Sequence, residues 1–275
     1  MTGIATGKPD RHTGPILVFD SGLGGLTVFR HIVEQRPDDQ FVYVVDNEGF
    51  PYGDWEEVAL TERIVALIGK IIEKTHPRVI VIACNTASTI AIDALRRTYT
   101  DAGPRIPIIG TVPAIKVAAK VSASRVFSVL ATPGTVHRDY TRALISDFAG
   151  DCEVKLVGVD KLAAIAEDKM YGRKVDLAKL SKLIRPAFVE IQGRRTDNIV
   201  LGCTHYPLIE AELVKASPWP VRFIDPGAAI ARRLSDVLRE MKLEKPSVKM
   251  RKILFTKQVD EHAVQSILDE YGFEN

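Results

Sequence analysis

The sequence predicts an α/β protein built on mainly parallel sheets flanked by helices, and three observations lead there. Short apolar runs alternate with longer amphipathic stretches along almost the whole chain, the pattern of strands that need a helical crossover to return parallel. The runs are apolar at nearly every position, as strands buried on both faces are. Two of them end in the same small device, a cysteine followed by hydroxyl or amide side chains: Val79-Ile80-Val81-Ile82-Ala83-Cys84-Asn85-Thr86 and Asn198-Ile199-Val200-Leu201-Gly202-Cys203-Thr204-His205.

Taken in order, the polar stretch Met1 to Gly14 reads as a flexible leader, and Pro15 to Phe19 as a strand ending at Asp20. Thr27 to Gln35 is a helix and Phe41 to Val45 the next strand. Gly49, Pro51 and Gly53 stop any helix between Asn47 and Asp54, so a shaped loop is expected there. A long amphipathic helix follows from Glu56 to Thr75. The alternation continues through strand Val79–Ala83, helix Ala87–Thr100, strand Ile106–Ile109, helix Ala114–Val121, strand Val126–Leu130 and helix Val136–Phe148. The second half offers strand Val154–Val157, helix Leu177–Ile191, strand Ile199–Leu201, helix Leu208–Lys215, strand Arg222–Ile224 and helix Ala228–Met241. Val248–Phe255 and Glu261–Tyr271 read as a strand and helix returning to the first sheet. The expected division is therefore a leader (1–14), a first domain from both ends of the chain (15–107 plus 219–275) and a second inserted between them (108–218).

With 275 residues there is enough chain to bury a substantial core. The net charge of +2 and 26% charged residues give no reason to expect nucleic acid or an anionic membrane as partner. No apolar stretch reaches the roughly 20 residues that span a bilayer, and the first residues lack the apolar centre of a secretion signal. A cytoplasmic protein is expected. Three cysteines cannot all pair, and a reducing compartment favours free thiols.

Chemistry concentrates where strands open into loops, which is where open α/β sheets bind ligands. Asp20-Ser21-Gly22-Leu23-Gly24-Gly25 joins a strand to a helix, where backbone N–H groups can hold an anion. Thr27 stands where a dinucleotide fingerprint needs Gly or Ala, and the Gly-Lys-Ser/Thr of a P-loop is absent. The remaining readings are an anion cradle or a plain tight turn. Asp20 can accept a proton or hold an ammonium group, or simply cap the helix. Cys84 has Asn85 and Thr86 at a helix start, where the dipole favours a thiolate and a bound carboxylate. Cys203 has Thr204 and His205 in the same places, and His205 can serve as base or imidazolium partner. Two thiols facing one cleft suggest proton transfer on two faces of one carbon. A zinc site from Cys84, Cys203 and His205 lacks any close Cys pair or His-X3-His spacing, so no metal is expected. Cys152 lacks the flanking pattern and reads as a plain thiol.

The blocks Asp20-Ser21-Gly22-Leu23-Gly24-Gly25-Leu26-Thr27-Val28, Pro51-Tyr52-Gly53, Cys84-Asn85-Thr86-Ala87-Ser88, Ala131-Thr132-Pro133-Gly134-Thr135, Gly202-Cys203-Thr204-His205-Tyr206-Pro207 and Ile224-Asp225-Pro226-Gly227 resemble the signature blocks of the glutamate racemases. That resemblance implies two pseudosymmetric α/β domains with the active site in the cleft between them. It implies a cofactor-independent isomerase that moves the Cα proton of glutamate, supplying D-glutamate for peptidoglycan. By analogy Cys84 deprotonates D-glutamate, assisted by Asp20, and Cys203 deprotonates L-glutamate, assisted by His205. Ser21, Pro51, Tyr52, Gly53, Asn85, Thr86, Thr135 and Thr204 are implied to hold the substrate. A family glutamate that partners the second cysteine aligns with Asp160, one methylene shorter, offered as a catalytic helper with a surface carboxylate as the alternative. The segment Asn47-Glu48-Gly49-Phe50 and the insertion of Thr111-Val112-Pro113 depart from the family pattern. A homodimer is expected. The rival readings are an aspartate racemase of the same superfamily and a ligand-binding protein that kept the fold without turnover.

Overall fold

The computed structural model describes residues 13–241 and 249–274. Most of the leader, residues 1–12, and Val248 of the expected last strand lie outside them. The first part of the chain runs β1 (Ile16–Asp20), α1 (Leu26–Gln35), β2 (Gln40–Val45), α2 (Glu57–Thr75), β3 (Val79–Ile82), α3 (Asn85–Arg96) and β4 (Ile108–Gly110). The second runs α4 (Ile115–Val121), β5 (Val126–Ala131), α5 (Pro133–Val136), α6 (Asp139–Phe148), β6 (Glu153–Gly158), α7 (Leu162–Met170) and α8 (Leu177–Ile184). It continues with the pair β7 (Glu190–Ile191) and β8 (Arg194–Arg195), then β9 (Asn198–Gly202), α9 (Glu210–Ala216) and β10 (Arg222–Ile224). The chain returns through α10 (Gly227–Glu240), β11 (Met250–Phe255) and α11 (Glu261–Tyr271).

Two wholly parallel sheets result, ordered β11-β2-β1-β3-β4 and β10-β9-β5-β6. Leaving aside β11, both sheets follow one rule: the first strand of the unit lies between the second and the third. The crossovers therefore leave in opposite directions from the first and third strands, and the gap between those strands at their C-terminal ends is a topological switch point. Asp20 ends one of the two strands flanking that gap in the first sheet, and Cys84 follows the other. Thr132 and Cys203 follow the equivalent strands in the second. The repeated cysteine device is thus a repeat of topology.

The strands read as continuous apolar runs because both faces are covered. Val18, Val81 and Tyr43 pack under α1, α10 and α11. Leu17, Phe19, Ile80 and Ile82 meet Leu60, Ile64, Ile68 and Ala91 of α2 and α3. Phe29 stacks on Phe273 at 5.2 Å and meets Phe41 edge-on at 5.3 Å, which ties the end of the chain to the helix after the glycine loop.

The structure corrects several expected boundaries. Ile108–Gly110 pairs with β3, and so belongs to the first sheet instead of opening the second. Arg222–Ile224 pairs with β9, and so belongs to the second. The helix expected over 177–191 ends at Ile184, because Pro186 has no N–H to continue it. Gln192 and Gly193, both at positive φ, then turn the chain into the β7–β8 hairpin. The helix expected over 136–148 is two helices, broken where Arg138 turns extended. Helix α7 was not expected: Leu162-Ala163-Ala164-Ile165-Ala166-Glu167 shows little apolar periodicity, and its buried face includes Glu167.

Candidate active site

One small cleft between the two sheets is lined by Ser21, Tyr52, Cys84, Asn85, Thr86, Thr132, Cys203, Thr204 and His205, among others. Cys84 caps α3, its sulfur accepting from the N–H of Ala87 at 3.4 Å and lying 3.7 Å from the Ser21 hydroxyl. Burial, and then the charge of Asp20, push the Cys84 thiol well above its usual range, so the resting group is a thiol. Cys203 follows β9, with its sulfur 3.8 Å from Nδ1 of His205.

His205 is held from its far side by Glu167 of α7, whose Oε2 lies 2.8 Å from Nε2. Burial on its own lowers the imidazole pKa. Hydrogen bonds to Cys203 and Glu167, with their charges, outweigh it and carry His205 well above its ordinary value. The imidazolium form of the ring is therefore favoured between Cys203 and Glu167.

The glycine loop has a role the sequence did not disclose. Gly22, Gly24 and Gly25 are not among the glycines at positive φ, so turning is not what requires them. A Cβ on Gly22 would lie 2.8 Å from Nε2 of His205, and one on Gly24 would lie 2.6 Å from its Cγ. Gly22 and Gly24 admit the imidazole of the opposite domain, whereas a Cβ on Gly25 would meet Tyr43 and Asp20. The loop's N–H groups do hold anions, but these belong to the chain: Gly25 N donates to Asp20 Oδ2 at 2.7 Å, and Leu23 N to Glu167 Oε2 at 3.0 Å. Asp20 is fully buried, and burial raises its pKa more than its charge and hydrogen-bond partners lower it. Thr204 donates to it from the other side at 3.4 Å.

Asn85 is 2% exposed, and neither polar atom of its amide has a hydrogen-bond partner among the described residues. An unpaired buried amide costs about 1–3 kcal/mol, and lining a cleft it is a group kept ready for a polar ligand. Thr86 and Thr132 share a hydroxyl contact across the cleft at 3.3 Å. The enclosed space is about 20 Å³, room for about one water.

The structure gathers Ser21, Pro51, Tyr52, Gly53, Cys84, Asn85, Thr86, Cys203, Thr204 and His205 at the cleft, with Asp20 beneath it. Thr135 lies behind the wall, its hydroxyl 3.0 Å from that of Thr132, which takes the lining position. Asp160 is exposed at the end of the segment after β6 and makes no hydrogen bond to His205 or Cys203. The carboxylate that meets His205 is Glu167, seven residues later. Phe50, whose ring lies 5.2 Å from that of His205, and Ala163 also line the cleft unforeseen.

A family model described as Asp/Glu/hydantoin racemase matches residues 16–234. A glutamate racemase of Brucella anthropi is 54% identical over 225 residues, covering 82% of this chain and 80% of that protein. One of Brucella ovis is 54% identical over 224 residues, covering 82% and 79%. The crystal structure of Escherichia coli glutamate racemase, in complex with L-glutamate and the activator UDP-MurNAc-ala, superposes with a TM-score of 0.84 at 38% identity, covering 95% of this chain and 96% of that one. The RacE1 isoform of glutamate racemase from Bacillus anthracis gives a TM-score of 0.78 at 26% identity, covering 95% of each.

Proposed function

The chain belongs to the Asp/Glu/hydantoin racemase family, and we propose that it interconverts L- and D-glutamate by proton transfer between Cys84, Cys203 and the substrate Cα, without a cofactor. The observation that carries this reading is the presence of both thiols on one cleft, with the Cys203 sulfur 3.8 Å from Nδ1 of His205. In the L-to-D direction the Cys203 thiolate takes the Cα proton, and the electron pair moves into the α-carboxylate. The Cys84 thiol then delivers its proton to the opposite face. What remains is a Cys203 thiol and a Cys84 thiolate, reset by proton exchange through His205 and Asp20.

The surroundings of Cys84, burial and then the charge of Asp20, keep it protonated and suit it to donate in that direction, while the Cys203 sulfur lies 3.8 Å from Nδ1 of His205. For D-to-L, Cys84 must first surrender its proton, and the raised pKa of Asp20 suits it to receive one. Asn85, Thr86, Thr132 and Ser21 supply neutral donors and acceptors for the carboxylates and ammonium group of the zwitterion.

The reading extends to a cytoplasmic enzyme supplying D-glutamate for peptidoglycan. Among the described residues no helix is long and apolar enough to cross a membrane. A homodimer is part of the proposal, supported by exposed Val117, Val121, Tyr140 and Phe148 on the adjacent helices α4 and α6. Sedimentation of the purified protein tests it. The activity is tested with a panel of L-amino acids followed by circular dichroism. Loss of optical rotation with glutamate alone is expected. Preference for aspartate would move the assignment within the family, and no turnover of any amino acid would leave a binding protein.

A further inference from the structure

Asp46 follows β2, is fully buried and does not line the cleft. Its Oδ2 accepts from the Tyr52 hydroxyl at 2.6 Å and from Arg63 Nε at 2.8 Å. Oδ1 accepts from Arg63 Nη2 at 2.7 Å and from the Thr256 hydroxyl at 2.7 Å. Four donors on two oxygens, two of them from one planar guanidinium, make a fixed junction. Burial by itself would raise the Asp46 pKa, but the hydrogen bonds from Arg63, Tyr52 and Thr256 together hold it below the usual carboxylate value.

The junction joins three parts of the chain. Tyr52 belongs to the loop that forms one wall of the cleft, Arg63 to α2, and Thr256 immediately follows β11. The loop is tied to the same strand again, where Asn47 accepts from Lys257 N at 2.9 Å and donates to Lys257 O at 2.8 Å. Arg63 also lies over the Trp55 ring, 5.5 Å from its centroid, and Trp55 donates to Gly49 O at 2.8 Å. Gly49 has no room for a side chain, since a Cβ would lie 2.8 Å from both Asp46 Oδ2 and Arg63 Nε.

We propose that Asp46 is a positioning residue that sets the substrate-facing edge Pro51-Tyr52-Gly53 against β11, so that the last strand of the chain, through Thr256, fixes how tightly glutamate is held. The inference rests on the glutamate reading of the cleft but is tested at Asp46 and Thr256, neither of which lines it. Because the junction places a binding wall and leaves the two cysteines alone, its loss weakens binding and spares the chemical step.

The test uses full-length Thr256→Val, Thr256→Ser and Asp46→Asn, measured alongside the unaltered protein. Thr256→Val removes the donor to Asp46, together with the acceptor of the Glu48 N–H, at nearly constant volume. The expected result is a KM for L-glutamate raised about five- to tenfold, the size of one ordinary hydrogen bond lost, with kcat changed by less than about twofold. Thr256→Ser restores the hydroxyl and the KM. Trp55 provides a readout independent of turnover. In a Trp219→Phe background, where Trp55 is the remaining tryptophan, acrylamide quenches its fluorescence more strongly in Thr256→Val than in the parent. Unchanged KM and unchanged quenching in Thr256→Val overturn the inference, as does a fall in kcat at constant KM. If Asp46→Asn does not fold, the Thr256 pair decides. If the parent protein fails to racemise glutamate, the glutamate reading falls while the quenching comparison still judges the junction.

Discussion

Replacing Gly24 by alanine tests the claim that the glycine loop exists to admit His205. The added Cβ would lie 2.6 Å from Cγ and 2.7 Å from Cε1 of the imidazole, and closer still to Nδ1. Recovering an ordinary carbon separation requires the ring to retreat by about 1 Å. It cannot retreat freely, because Glu167 holds Nε2 at 2.8 Å and the Phe50 ring lies over it. The contact that yields is the 3.8 Å approach of Nδ1 to the Cys203 sulfur. A shift of about 1 Å in a catalytic group can cost about 100-fold in rate, and overpacking a buried site costs about 1–3 kcal/mol of stability. Gly24→Ala should therefore lose about two orders of magnitude in kcat/KM while remaining folded. Gly150→Ala, whose Cβ meets only Ser146 O at 3.6 Å, controls for the substitution itself. Racemisation of L-glutamate followed by circular dichroism gives the rates and thermal melting the stability. Wild-type kcat/KM in Gly24→Ala would refute the reasoning, because His205 would then not need the space.

Two further outcomes follow from burial and charge. The folded pKa of His205 is raised, so its pairing with Glu167 stabilises fully below the ordinary imidazole pKa near ~6.5 and that stability is lost as pH rises through the raised value. Glu167→Gln should accordingly cost roughly 2 kcal/mol at pH 6, or roughly 5 °C in Tm, and less at alkaline pH; an equal loss at both ends of the range contradicts the pairing. The folded pKa of Asp20 is also raised, so the cost of keeping it ionised grows as pH climbs from the ordinary carboxylate value near ~3.9 through the raised one. Asp20→Asn should then raise Tm at pH 7.5, show no gain near pH 3.5, and still lose activity; calorimetry that finds destabilisation at pH 7.5 argues against a burial-strained carboxylate.

Strand positions were legible because parallel strands buried on both faces must be apolar throughout, and the cysteine devices were legible because each interrupts such a run with polar groups. Less visible was anything created by the meeting of the two sheets. Glu167 sits in a helix with weak apolar periodicity, and only the fold shows that its partner lies 38 residues away. A carboxylate on the face of a helix that packs inward was the one available signal. Thr132 and Thr135 are alike in sequence, and the turn of α5 decides which lines the cleft. The glycines of the loop read as an anion cradle or a plain turn, since nothing local records that an imidazole far along the chain fills the space where side chains on Gly22 and Gly24 would be. Asp160 is the residue that aligns with the family glutamate, but it is exposed and does not line the cleft.

The central claim is that the proton removed from one face of Cα is not the proton returned to the other. It is tested most directly by running the L-to-D reaction in D2O and analysing early product and remaining substrate by mass spectrometry. Two monoprotic thiols predict that D-glutamate forms with deuterium at Cα from the first turnovers, delivered by a solvent-equilibrated Cys84, while unreacted L-glutamate keeps its protium. D-glutamate that retains the substrate's own proton would mean that a single group serves both faces, and would contradict the account.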